Sequence, residues 1–136
     1  MLVAERLPWT LRAYRGFASL ATPVARIVLA RRLARGKEHP QRLPERRGET
    51  RIARPPGPLI WAHGASVGEM LSVIPLVEGI RARNFNVLVT SGTVTSARLA
   101  DERLPPNVIH QFVPLDTPRY AARFELPVRT GVRVER

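Results

Sequence analysis

The segment of the sequence best suited to chemistry is 63–69, which reads HGASVGE and ends on the carboxylate of Glu69. Its small residues let the backbone approach a ligand closely. The free N–H groups at the start of a following helix attract an anion. A carboxylate beside such a loop can accept a proton from a bound hydroxyl, so Glu69 is a candidate general base.

The same segment also has a structural interpretation, which the residues alone leave open. Ser66 and Glu69 fit the S-x-x-E capping box, in which Ser66 caps a helix and the Glu69 carboxylate accepts a hydrogen bond from the Ser66 N–H. The spacing is not GxGxxG, so dinucleotide binding is a poor match. No lysine follows the glycines, so the segment is not a phosphate-binding P-loop either.

A second polar stretch, 90–96 (TSGTVTS), carries hydroxyl groups suited to contacts with a sugar or a phosphate. Ordinary N-capping of a helix by Thr95 or Ser96 explains the same residues. The sequence has no cysteine, which excludes thiol chemistry and thiolate metal sites. Its three histidines lack the spacing of HExxH or of other metal motifs, so no metal or cofactor is expected.

These polar stretches follow strands that alternate with helices in the region 58–124. Short apolar runs predict the strands, and apolar residues at helical spacing predict the helices. The strands are expected at 59–63, 87–90 and 108–113, and the helices at 70–80, 95–104 and 119–124. This alternation is typical of an α/β fold, here a Rossmann-like half-domain with a parallel sheet and ligand space at the carboxyl ends of its strands.

Upstream, the segment 1–35 predicts an amphipathic helix associated with a membrane. Apolar residues dominate it, but arginines interrupt them and aromatic rings lie among the arginines. The longest uncharged run, 16–25, is about half of the roughly 20 residues that span a bilayer, so a helix at the interface is favoured. Pro23 is expected to bend or break it. The alternative is a helix packed on its own domain.

The charge balance favours a polyanionic partner. Lysine and arginine total 22 against 11 aspartates and glutamates, and every cation except Lys37 is an arginine, whose planar fork matches phosphate. A genome rich in arginine codons accounts for part of this surplus equally well. The connector 36–57, rich in charge, proline and glycine, is expected to be solvated, with room for one short helical turn. Its Arg46, Arg47, Arg51 and Arg54 could contact phosphate, although solvation is the more usual role of such residues.

Several of these residues form an ordered set that is more specific than any single motif. The set comprises Trp61-x-His63-x-x-Ser66-x-Gly68-Glu69, Pro75-Leu76, the turn 90–96, Leu104-Pro105, and 110–116 (HQFVPLD) followed by Pro118. In this order the residues resemble the N-terminal domain of the Kdo (3-deoxy-D-manno-octulosonic acid) transferases, over about residues 10–124. One departure is Ser96, where the family pattern leads us to expect glycine after Thr95.

The resemblance implies a GT-B fold, in which two Rossmann-like domains face each other across a cleft. It implies metal-independent, inverting transfer of Kdo from CMP-Kdo to a lipid A precursor at the cytoplasmic face of the bacterial inner membrane. In it, Glu69 falls on the catalytic base, and Ser66, Gly68 and Thr93 are candidate substrate-binding residues. The implied partners are the lipid A precursor, CMP-Kdo and the anionic inner membrane, whereas nucleic acid is not expected.

The predicted organisation has four parts. They are a membrane-associated helical segment 1–35, a basic connector 36–57, a partial acceptor-side domain 58–124, and a tail 125–136 that no longer resembles the family. Because the GT-B plan places the CMP-Kdo site in a C-terminal domain, the chain alone is expected to be inactive. Two alternatives stay open, namely another GT-B glycosyltransferase and a non-catalytic basic module that binds anionic membrane or nucleic acid.

Overall fold

A computed structural model describes residues 9–129, in which four helices surround a three-stranded parallel sheet. Some side chains of the first and last helices are not described. The elements are α1 (Trp9–Ala34), 3₁₀ turns at Pro40–Arg42 and Glu45–Arg47, β1 (Leu59–Gly64), α2 (Val67–Arg81), β2 (Asn86–Ser91), α3 (Val94–Arg103), β3 (Ile109–Phe112) and α4 (Pro118–Arg129). The α/β class and the three predicted strands are therefore confirmed.

The strands lie in the order β1-β2-β3 and are parallel. All their carboxyl ends therefore lie along one edge of the sheet. His63 pairs with Thr90 across β1 and β2, and Ser91 pairs with Phe112 across β2 and β3. Because the last residues of the three strands pair with one another, the loops that follow β1, β2 and β3 start side by side. Those loops contain the polar stretches that the sequence marked for chemistry.

The core lies between the sheet and helix α2. Met70, Ile74 and Val77 form the buried stripe of α2 and pack against the buried strand β2. Burying each such side chain contributes about 1.5–3 kcal/mol. Pro75 lies inside α2 on its exposed side and does not end the helix. The packing of this stripe fixes α2, and therefore holds its first turn at the carboxyl edge of the sheet.

Helix α1 is continuous from Trp9 to Ala34, although Pro23 lies inside it, so Pro23 does not break the helix. Ala25 and Leu29 are buried, and α1 contacts α4. No helix in the part of the chain that the structure describes is long and apolar enough to cross a membrane. The first eight residues of the segment 1–35 lie outside the described residues.

The connector 36–57 is solvated in its last part, where most of 51–57 is exposed, but 38–50 is more buried than its composition indicates. It forms two 3₁₀ turns and packs against β3 and α4. Glu38 and Arg46 are buried within it, and the Arg46 Nε donates to a Glu38 oxygen at 2.9 Å. Arg32 of α1 also donates to Glu38, at 2.7 Å. Burial of these charges is possible because each one is paired.

Helix α4 begins as its sequence predicts and ends later. The Thr117 hydroxyl accepts from the Tyr120 N–H at 3.2 Å, and Pro118 is the first helical residue. The helix continues past Phe124 to Arg129, into the segment expected to be an atypical tail. The rest of that tail, 130–136, lies outside the described residues.

Candidate active site

Two hydrogen bonds hold the loop between β1 and α2 against the first turn of α2. The Ser66 hydroxyl accepts from the Glu69 N–H at 3.3 Å, so Ser66 is the N-cap of α2 as predicted. The Glu69 carboxylate folds back, but its Oε2 accepts from the Ala65 N–H at 2.8 Å rather than from the Ser66 N–H. The capping box is therefore shifted by one residue toward β1, which ties the carboxylate to the loop itself.

The Glu69 side chain is exposed at the carboxyl edge of the sheet. Within residues 9–129 its other carboxylate oxygen has no hydrogen-bond partner. Gly68 precedes it, and a Cβ built at Gly68 would meet no atom within 4 Å. The surface beside Glu69 is therefore open, and a ligand can approach its free oxygen.

The turn between β2 and α3 lies against this loop. A Cβ at Gly92 would come within 2.7 Å of the Ala65 carbonyl oxygen and 3.0 Å of the Ala65 Cα. Only glycine permits so close an approach of two backbones. The structure thus brings Thr93, which follows Gly92, next to the loop that carries Ser66 and Glu69.

Thr93, and not Thr95 or Ser96, is the N-cap of α3. The Thr93 hydroxyl accepts from the Ser96 N–H at 3.1 Å, and the Ser96 hydroxyl accepts from the Thr93 N–H at 3.1 Å. This reciprocal capping box was missed because serine stands at its third position, where glutamate or glutamine is the recognised signal. Thr93 is exposed, but its hydroxyl already serves the helix.

Two further side chains on β1 belong to this edge of the sheet. The Trp61 indole N–H donates to the Thr90 hydroxyl oxygen at 2.9 Å, and the His63 Nδ1 lies 2.9 Å from the same oxygen. When the Thr90 hydroxyl hydrogen points to His63 Nδ1, the histidine proton is on Nε2. His63 is exposed, near the end of β1 that leads into the Glu69 loop. Trp61 and His63 are two residues apart in one strand, so their side chains lie on the same face of the sheet. This spacing is the feature of the sequence from which their shared position could have been predicted.

Two arginines of the connector donate hydrogen bonds to backbone carbonyl groups in β3 and just after β2 and β3. Sequence reasoning did not predict this role. Arg46 donates to the Val113 carbonyl at 3.0 Å and to the Gly92 carbonyl. Arg42 donates to the His110 carbonyl at 3.2 Å. Both guanidinium groups lie over the Phe112 ring, 4.7 and 4.9 Å from its centre. The connector therefore holds the Gly92 turn in place. Through that turn it also positions the Glu69 loop.

Ser91, His110 and Asp101 form a hydrogen-bonded chain on the adjacent strands. The Ser91 hydroxyl lies 2.9 Å from His110 Nε2, and His110 Nδ1 lies 2.6 Å from an Asp101 oxygen. This connectivity is that of a Ser-His-Asp triad, but Ser91 is fully buried and no substrate can reach its hydroxyl. Burial lowers the pKa of His110, against the opposing effect of the Asp101 hydrogen bond. The chain is therefore a structural network of β2, β3 and α3.

No group of three or more potential metal ligands comes together in the part of the chain for which the structure gives positions. The groups available at this edge include the Glu69 carboxylate, the His63 imidazole and the backbone of the Gly92 turn. Such an arrangement suits the activation of a hydroxyl group on a bound acceptor.

The family model described as 3-deoxy-D-manno-octulosonic-acid transferase (kdotransferase) matches residues 41–132 of the chain. The matched region contains the Glu69 loop, the Thr93 turn and the arginines of the connector. The match continues beyond Phe124 into the segment expected to depart from the family.

Sequence relatives carry the corresponding name. A probable mitochondrial 3-deoxy-D-manno-octulosonic acid transferase of Arabidopsis thaliana is 38% identical over 115 residues, which are 83% of this chain and 26% of the relative. A 3-deoxy-D-manno-octulosonic acid transferase of Rickettsia bellii is 35% identical over 109 residues, covering 78% of this chain and 26% of that protein. The chain thus spans about a quarter of the length of these two relatives. No solved structure matches it significantly.

Proposed function

We propose, because this chain belongs to the 3-deoxy-D-manno-octulosonic-acid transferase family, that the protein transfers Kdo from CMP-Kdo to a lipid A precursor with Glu69 as the general base. The observation that carries the proposal is the exposed Glu69 carboxylate, fixed by one oxygen at the carboxyl edge of the sheet. Family membership favours this function over another GT-B glycosyltransferase and over a non-catalytic basic module.

In this mechanism the acceptor hydroxyl donates a hydrogen bond to the free oxygen of Glu69. As the hydroxyl oxygen attacks the anomeric carbon of Kdo, its proton passes to the carboxylate, and the bond to CMP breaks with its electron pair on the phosphate. Positioned proton acceptors of this kind contribute about 10²–10⁴-fold to rate. The Ala65 N–H keeps the carboxylate oriented throughout, so the cap and the base are the same side chain in one conformation.

The remaining contacts to the acceptor are assigned to the surface around Glu69. Ser66 and Gly68 lie on its own loop, and Thr93 lies on the neighbouring turn. Because the Ser66 and Thr93 hydroxyls cap helices, we assign them secondary contacts through their free lone pairs. Gly68 leaves room for the sugar to approach. The CMP-Kdo site is assigned to a second domain that faces this edge, as in the GT-B plan.

Members of this family are membrane-associated in bacteria. We place this protein at the cytoplasmic face of the inner membrane, with α1 as the contact. Trp9, Tyr14 and Phe17 of α1 are 80%, 65% and 79% exposed, and rings of this kind favour head-group depth. The lipid A precursor would meet the Glu69 loop from the same membrane surface.

The test needs both GT-B domains, so it uses a chimera in which this chain replaces the matched segment of the Rickettsia bellii relative. CMP release is measured from CMP-Kdo and lipid A precursor. Glu69→Gln keeps an oxygen for the Ala65 N–H but cannot accept a proton, so the rate should fall by about 100-fold or more. Glu78→Gln, an equivalent change of an exposed residue on the same helix, should leave the rate unchanged.

Activity of the Glu69→Gln chimera within a few-fold of the parent would disprove the assignment of the base. The 136-residue chain, assayed without the second domain, is expected to release no CMP above background, since donor and acceptor must be held together for transfer.

A further inference from the structure

A basic cavity lies between α1, the end of the second 3₁₀ turn with the residues just after it, and α4. Its volume is about 440 Å³. Its lining includes Arg26, Arg47, Glu49, Arg119, Tyr120 and Arg123. We call it the α1–α4 cavity. None of these residues belongs to the loops that carry Ser66, Glu69 or Thr93.

The charges in this cavity are unbalanced, since four guanidinium groups line it together with one carboxylate. Arg123 donates to Glu49 at 3.1 Å, and Arg47 lies 3.6 Å from the other Glu49 oxygen. Among the side chains that the structure describes, no carboxylate pairs with Arg26 or Arg119. Like charges gathered around one space repel each other, and an anion in that space would relieve the repulsion.

Two buried donors of the cavity lack partners, which is an independent indication of a ligand. Tyr120 is only 2% exposed, and its hydroxyl has no hydrogen-bond partner in the described part of the chain. The same is true of the buried Nε of Arg47. Leaving a buried polar group unsatisfied destabilises a protein, so such groups call for an explanation. Both groups can donate hydrogen bonds to one acceptor.

We propose that the α1–α4 cavity binds a phosphate group, the chemistry shared by anionic lipid head groups and soluble phosphomonoesters. A phosphate carries several acceptor oxygens, and so it can satisfy the Tyr120 hydroxyl, the Arg47 Nε and the unpaired arginines together. The volume leaves room for the group to which the phosphate is attached. The proposal does not depend on the role of Glu69.

The test compares two variants of the 136-residue chain that lose the same charge. Arg26→Gln/Arg119→Gln removes the two unpaired arginines of the cavity. Arg98→Gln/Arg103→Gln removes two exposed arginines of α3 and controls for the general attraction of anions. Binding is measured by calorimetry with inorganic phosphate and with glycerol 3-phosphate, and by co-sedimentation with phosphatidylcholine vesicles that contain phosphatidic acid.

The cavity variant should lose about tenfold or more in affinity, whereas the control should change by about twofold at most. A selective loss toward the soluble compounds identifies a phosphomonoester ligand, and a selective loss toward vesicles alone identifies a lipid head group. An equal loss in both variants with every probe overturns the proposal.

Tyr120→Phe provides a second test that a merely structural role would not pass. The substitution removes a hydroxyl that has no partner in the free protein, so the melting temperature without ligand should stay the same or rise. If the hydroxyl donates to phosphate, affinity for the probe bound by the wild-type chain should fall about fivefold. Unchanged affinity in Tyr120→Phe would remove the tyrosine from the site and contradict the proposal as stated.

Discussion

Replacing Arg46 with methionine is expected to destabilise the protein by about 3 kcal/mol or more. The Arg46 and Glu38 side chains are 4% and 1% exposed, and they pair at 2.9 Å. Removing one partner of a buried pair costs about 3–5 kcal/mol, because the other charge is left buried. Arg32 still pairs with Glu38, at 2.7 Å, which places the estimate at the lower end of that range.

A further loss comes from the two carbonyl groups that Arg46 holds. The Gly92 and Val113 carbonyls would lose a charged donor, and hydrogen bonds to charged groups are worth about 1.5–3 kcal/mol each. Both carbonyls lie at strand ends where water can replace part of that loss. Against a typical total stability of about 5–15 kcal/mol, the variant should still fold but with a much lower urea midpoint.

The assay is urea unfolding followed by far-UV circular dichroism and tryptophan fluorescence. The control is Arg98→Met, an exposed position on α3 that should change stability by no more than about 0.5 kcal/mol. The double variant Glu38→Met/Arg46→Met should be more stable than Arg46→Met alone, because it also removes the buried Glu38 carboxylate, for which the single variant leaves only the half-buried Arg32. The reasoning is refuted if Arg46→Met stays within about 1 kcal/mol of wild type, or if the double variant loses the sum of both single losses.

Three further predictions concern the sheet edge, the buried histidine and the first helix. Gly92→Ala should destabilise the chain by about 1–3 kcal/mol, because the new Cβ meets the Ala65 backbone; an unchanged melting temperature would show that the two loops can separate freely. Because burial lowers the pKa of His110 below that of the unfolded chain, stability is complete above about pH 6.5 and declines as pH falls toward the lower pKa. His110→Asn should therefore show a flatter decline of melting temperature in this window, and a decline as steep as in wild type would count against it. Finally, the chain should co-sediment with anionic vesicles less completely at high salt, and binding that salt does not affect would contradict an interfacial α1.

The alternation of strands and helices was predictable because local and global signals agree there. β1 begins with a short apolar run and β2 combines apolar and β-branched residues, while Met70, Ile74 and Val77 have the spacing of a buried helical face. The cap at Ser66 was predictable for the same reason. Each of these features depends on residues that are close in the sequence.

The connector could not be predicted in this way. Arg46 follows a polar, proline-rich stretch, and nothing nearby in sequence shows that it reaches carbonyls of Gly92 and Val113. Its burial depends on Glu38 of its own segment and on carbonyl groups at two strand ends. Composition describes the average behaviour of arginine, and tertiary pairing overrides that average here. The effect of Pro23 in α1 could not be predicted locally either. Pro23 removes one hydrogen bond, and the rest of the long, partly packed helix compensates for that loss.

The structure also changes how the two interpretations of Glu69 relate to each other. From the sequence alone they compete, since a carboxylate engaged in a helix cap has fewer lone pairs free for a substrate. In the structure the cap uses Oε2 and the Ala65 N–H, while the side chain stays exposed. A carboxylate has two oxygens, and holding one of them limits the motion of the other without occupying it. The structural role is therefore compatible with the catalytic role that we propose, because a base that is already oriented loses less entropy when an acceptor hydroxyl arrives.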